Sequence, residues 1–147
     1  MAYLSSSCLK REKISDSVFE LSEAGVKNIE LSGGTRYYGG ILKDVSALKE
    51  QYGLDYLVHG YFPPPKEDFI LDLIAPNEAG RDRAISFIRE SVSFCKALGV
   101  GVYSTHPGFT LDVSLFSEGA PSNGRGEIGK KEAEKLFYDN LGGVLGG

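Results

Sequence analysis

Tryptophan is absent from this sequence of 147 residues, methionine occurs once, and cysteine and histidine occur twice each. Cys8 and Cys95 lie far apart without CxxC spacing, which excludes a zinc knuckle or a dithiol redox pair. Two buried, reduced thiols are expected instead, Cys8 on a first strand and Cys95 on a helix. No apolar run approaches the roughly 20 residues that cross a bilayer. The start "MAYLSSSCLKREK" also lacks the charged-then-apolar order of a secretory signal, so the cytoplasm is the expected compartment. A basic excess is missing as well. The net charge is −4, with Lys and Arg dispersed among Asp and Glu, so no stripe suited to a phosphate backbone is legible and nucleic acid is disfavoured as a partner.

What is present fits one soluble domain, residues 1–147, because 41% hydrophobic and 24% charged residues over this length can bury a core of ordinary size. "AYLSSSCL" reads as a short strand. "SDSVFELSEAGV" reads as a helix with Val18, Leu21 and Val26 near one face, capped by Ser15 or Asp16 and stopped by Gly25. "KNIELSGG" is a strand closed by glycines, "ILKDVSALKEQYG" a helix ending on Gly53, and "LDYLVHGY" a third strand. "NEAGRDRAISFIRESVSFCKALG" repeats Ala84, Ile85, Ile88, Val92 and Cys95 at helical spacing and leads into a fourth strand, "VGVYSTH". "GKKEAEKLFYDNL" is a fourth helix. Four βα units predict an α/β fold with parallel strands and ligand sites beyond the carboxyl ends of those strands.

The two histidines both fall at such ends. His59 closes the third strand in "LVHGYFPPP", and His106 follows the fourth in "VYSTHPGF". If those strands are neighbours, about 4.8 Å apart, two terminal imidazoles on one face can converge on one ion. Glu30 alternates with Ile29 and Leu31, so it faces away from the helices if those two pack against them. Arg36 lies just past "SGG", where a guanidinium suits a sugar phosphate, and Tyr61 is placed to stack on a sugar or to wall a pocket. Asp72, apolar on both sides, reads as an N-cap or a loop-fixing carboxylate beneath the histidines. The glycines of "SGG" and "YYGG" complete no phosphate-binding pattern and read as turns, and "SEGAPSNGRGEIG" reads as a candidate lid.

Together "LVHGYFPPPKEDFILDLIAP", the Arg81-Asp82 pair and "HPGF" resemble the third and fourth βα units of the xylose isomerase-like TIM-barrel superfamily, which includes sugar phosphate isomerases and epimerases and the endonuclease IV group. "SEAGVKNIELSGG" resembles the second strand of that superfamily. The resemblance implies a barrel of which about four βα units, a half or truncated barrel, are present, since a complete one takes about 250 residues. It implies a divalent metal (Zn, Mn or Mg) with His59 and His106 among its ligands, and Glu30, Arg36 and Tyr61 as substrate contacts. The implied activity is metal-dependent isomerisation or epimerisation of a sugar or sugar phosphate. The alternatives are an endonuclease IV-like phosphodiesterase acting on abasic DNA, and a non-catalytic half-barrel that pairs with a second copy or with a complementary C-terminal half.

Overall fold

The computed structural model describes residues 2–75, 77–110 and 128–145. Strand and helix alternate along it: β1 (Leu4–Ser5), α1 (Ile14–Glu23), β2 (Asn28–Leu31), α2 (Ile41–Tyr52), β3 (Asp55–His59), α3 (Glu78–Leu98), β4 (Tyr103–Ser104) and α4 (Lys130–Leu145). The four strands form one parallel sheet in the order β1-β2-β3-β4, as consecutive βα units require. The chain divides into two compact units. The first holds residues up to Phe69 and Glu90–Thr105, and so contains the whole sheet; the second holds Ile70–Arg89 and the chain from His106 onward.

In the first unit the core is built from the outward face of the sheet. Ile29 and Leu31 of β2 and Val58 of β3 are fully buried, Tyr56 nearly so, and they pack with Ile14, Val18 and Leu21 of α1 and Ile41 and Val45 of α2. Burying each such side chain contributes roughly 1.5–3 kcal/mol. Helix α1 begins one residue before the predicted cap: Ile14 is fully buried, Lys13 stands at the N-cap without a side-chain bond, and Ser15 and Asp16 lie inside the helix. Gly25, at φ 85°, ends it as expected. Helix α2 runs between Gly40 and Gly53, both in the left-handed region.

Two segments depart from the sequence reading. After Ser5 the chain turns into a 3₁₀ helix, Ser6–Cys8, because Ser6 is buried and its hydroxyl accepts a bond from Ser32 N at 3.0 Å. Cys8 is therefore on this turn and exposed, not buried on a strand, whereas Cys95 of α3 is buried. Strand β4 is also shorter than "VGVYSTH": pairing with β3 covers only Val58 and His59, so only Tyr103 and Ser104 take strand geometry.

The second unit has its own cluster, Ile74, Ile128 and Ala133 packed by Leu136 and Phe137 of α4. Asn77 Oδ1 accepts the Gly80 N–H at 2.7 Å and caps the start of α3. Asn140 donates to the Leu73 carbonyl, and the Arg89 guanidinium to the Gly143 carbonyl. Among the described residues no helix is long and apolar enough to cross a membrane.

Candidate functional site

Strand alternation divides β2 and β3 into two faces. With Ile29, Leu31, Tyr56 and Val58 committed to the helices, Glu30, Leu57 and His59 stand on the opposite face, each half-buried. The register pairs Ser5 with Glu30 and Glu30 with Leu57, and pairs His59 with Ser104 of β4. His59 thus sits one strand over and two residues toward the carboxyl end from Glu30, with Cα atoms about 8 Å apart by sheet geometry.

Neighbouring strands do bring a polar partner to His59: Ser104 of β4. The His59 Nδ1 to Ser104 Oγ distance is 2.8 Å, a bond between residues paired across the ladder. Just beyond, Gly60 takes φ 55°, its N–H donates to the Ser104 carbonyl at 2.8 Å, and its carbonyl accepts the Tyr103 hydroxyl at 2.9 Å. Burial pushes the Tyr103 phenol up, which keeps it a donor across the physiological range. The histidine is therefore fixed by its ring nitrogen on one side and by the clamped backbone after it on the other.

Tyr61 stands beyond this clamp, half-buried, its Cβ 3.1 Å from where a side chain on Gly33 would begin. The first glycine of "SGG" thus makes room for Tyr61, and the second, Gly34 at φ 98°, makes the turn. The Tyr61 ring meets Phe69 edge-on with centroids 5.8 Å apart. Arg36 is not turned toward Glu30. Its Nε lies 3.9 Å from Glu12, both side chains are 82% exposed, and Glu30 forms no ion pair among the described residues.

His106 belongs to the second unit, two residues past β4, and is exposed. The segment that carries it is held by the "LDLI" loop. Asp72 is 5% exposed; its Oδ1 accepts the Ile74 N–H at 2.9 Å and reaches the Phe109 N–H at 3.4 Å, while Leu73 N donates to the Pro107 carbonyl at 3.2 Å. A Cβ on Gly108 would lie 2.0 Å from Asp72 Oδ1, so this glycine is required by the carboxylate against it. Asp72 is the loop-fixing group its sequence context suggested. Ser104 was missed as a site residue, although its register with His59 follows once strands three and four are paired. Most of the candidate lid, residues 117–127, lies outside the described residues.

The family model of the xylose isomerase-like TIM barrel matches residues 18–145. The chain belongs to that family. Among solved structures it is similar to a D-tagatose 3-epimerase-like protein, with a TM-score of 0.70 and 21% identity over 99% of this chain and 48% of that one. It is also similar to the D-psicose 3-epimerase of Clostridium cellulolyticum H10, solved with D-tagatose, with a TM-score of 0.64 and 13% identity over 93% of this chain and 43% of the other. The chain spans about half the length of these solved relatives. No curated protein matches its sequence. Four parallel strands with their helices make the fold a partial TIM barrel of the α/β class.

The donor set bears on the metal. Among the described residues no three His, Cys, Asp or Glu side chains come together as a metal site. A closed zinc site takes four ligands and a catalytic one three plus water, so these residues alone do not constitute either.

Proposed function

We propose that the chain forms part of a divalent-metal-dependent isomerase or epimerase acting on a sugar or sugar phosphate. The observation that carries the reading is His59: the last residue of β3, on the sheet face turned away from the helices, its ring held by Ser104 and its following backbone clamped by Tyr103. Ligand chemistry in parallel α/β folds gathers at this end of the strands. The Nδ1–Ser104 bond fixes the orientation of the ring, which is what a ligand histidine needs. His106 is the second proposed ligand. The remaining donors, and the acid–base groups, would come from outside the described residues, in a complementary half-barrel or a second copy of the chain.

When bound, a divalent ion supplies polarisation of a carbonyl and its neighbouring hydroxyl. The chain's own contributions are binding and orientation. In this reading Glu30 would accept a hydrogen bond from a sugar hydroxyl, Tyr61 would offer a ring against the apolar face of a sugar, and Arg36 would meet an anionic group. The solved neighbours named as epimerases of tagatose and psicose support the class of reaction.

Interconversion of ketoses and aldoses, free and phosphorylated, assayed by NMR with Mn²⁺, Mg²⁺ or Zn²⁺ and with chelator, tests the reading. Metal-dependent conversion of at least one sugar is expected once the chain is joined to its complement, lost in His59→Ala, with no appreciable conversion by the chain alone. A full panel without conversion by the chain, alone or joined to a complementary half, would overturn it.

A further inference from the structure

Two loops leave the carboxyl ends of β1 and β2, the same end of the sheet at which His59 closes β3. They are tied together by the Arg36 N–H, which donates to the Glu12 carbonyl at 2.8 Å. Ser7, Lys10, Arg11 and Glu12 from the first loop and Gly34 and Arg36 from the second line an open pocket of about 430 Å³. Three cations against one lining carboxylate is an unusual concentration in a chain of net charge −4. The sequence hides it, because "KREK" and Arg36 are more than twenty residues apart.

The cations are not equally available. Arg11 is committed to Glu20 through two bonds, 2.9 and 2.6 Å long. Arg36 is not so committed: it meets Glu12 only at 3.9 Å with both side chains 82% exposed, a weak pairing in water. Lys10 is exposed. Gly34, at φ 98° with open space where a Cβ would point, keeps the mouth clear. A ligand with two negative charges and several acceptor oxygens can therefore replace Glu12 on the Arg36 fork and take Lys10 as well.

We propose that this pocket holds the phosphate of a phosphorylated sugar, so that the substrate is a sugar phosphate and not the free sugar. The inference rests on the isomerase reading above and names its substrate class. From β1 to β3 is two strand spacings, about 10 Å, a span within reach of an extended sugar chain bearing a terminal phosphate, so that its carbonyl end lies toward His59. A neutral sugar would engage neither Lys10 nor Arg36 through charge.

Direct titration tests this without requiring turnover. Backbone amide resonances of the full chain are followed on addition of a ketose phosphate, the matched neutral ketose, a hexuronate and inorganic phosphate, in the wild type and in Arg36→Gln, Glu12→Gln and Lys96→Gln. Gln at position 36 keeps the backbone bond to Glu12, so the fold is retained, and Lys96, in the last turn of α3, is the control. The ketose phosphate should move Gly34 and Arg36 and bind about tenfold more tightly than the neutral ketose. Arg36→Gln should weaken it by about fivefold or more, Glu12→Gln should tighten it about two- to threefold, and Lys96→Gln should leave it unchanged. Equal affinity for the neutral ketose, tighter binding of the hexuronate, a loss in Lys96→Gln equal to that in Arg36→Gln, or displacement by abasic duplex DNA with steep salt dependence would overturn the proposal. If neutral sugars are interconverted while phosphate fails to bind, the pocket assignment falls and the isomerase reading stands. If phosphate binds through Arg36 while no sugar is interconverted, the pocket stands and the isomerase reading falls.

Discussion

Gly108 and Asp72 show at the residue scale how a motif is enforced by packing. A methyl group at position 108 would meet the Asp72 carboxylate at 2.0 Å and the Ile74 side chain at 2.8 Å, in a backbone conformation of φ 137° that side chains resist. Gly108→Ala should therefore cost about 3 kcal/mol, through overpacking and strain together. Gly33→Ala, whose closest approach is to Tyr61 Cβ at 3.1 Å and which carries no positive φ, should cost clearly less. Urea midpoints of the two variants, read with unchanged slopes, check the order. Tyr103 gives a pH dependence of definite sign. Burial raises its folded pKa above that of the unfolded chain, so the folded state holds its proton more tightly. Stability from this group is fully present below about pH 10, the unfolded tyrosine value, and is lost as pH rises through the higher folded value. Denaturant melts between pH 8 and 11 should show a decline that is shallower in Tyr103→Phe, and an equal decline in that variant would remove the assignment.

The elements were legible to different degrees, for reasons that lie in their surroundings. Helix α2, bounded by Gly40 and Gly53, and the alternating pattern of β2 and β3 could be read almost directly, because local chain preference and burial agree there. Glu30's face followed from Ile29 and Leu31 in the same way. The cap of α1 was misread because burial of Ile14 outweighed the capping preference of Ser15 and Asp16. Cys8 was misplaced because the Ser6 hydroxyl, reaching Ser32 across 26 residues, bends the chain out of the strand, and no local pattern announces a bond of that span. The Ser104 partner of His59 and the assembly of Lys10 with Arg36 are likewise products of register and loop contact. Helix-facing strand positions should be the most sensitive: Ile29→Ala, at a fully buried site, is expected to cost about 2–5 kcal/mol, against under about 1 kcal/mol for Leu42→Ala on the exposed side of α2, measured by chemical denaturation.

For the molecule as a whole, family membership and a four-stranded parallel sheet are established by the match over residues 18–145 and by solved neighbours that the chain covers to about half their length. The charge distribution separates the sugar reading from the DNA reading. The cations of the β1 and β2 loops are local, and the chain remains net acidic, so no tight, steeply salt-dependent binding to abasic duplex DNA is expected in a fluorescence titration at varied ionic strength. His59 is proposed as a ligand of a metal site that the described residues supply only in part. Calorimetry with Zn²⁺ and Mn²⁺, combined with NMR of the histidine ring protons, tests it most directly. A response at the His59 ring on metal addition is expected, with a dissociation constant weaker than about 1 μM because the described residues offer too few donors, and with loss of the response in His59→Ala. A His59 ring that does not respond to either ion, or binding equally tight after its replacement, would contradict it.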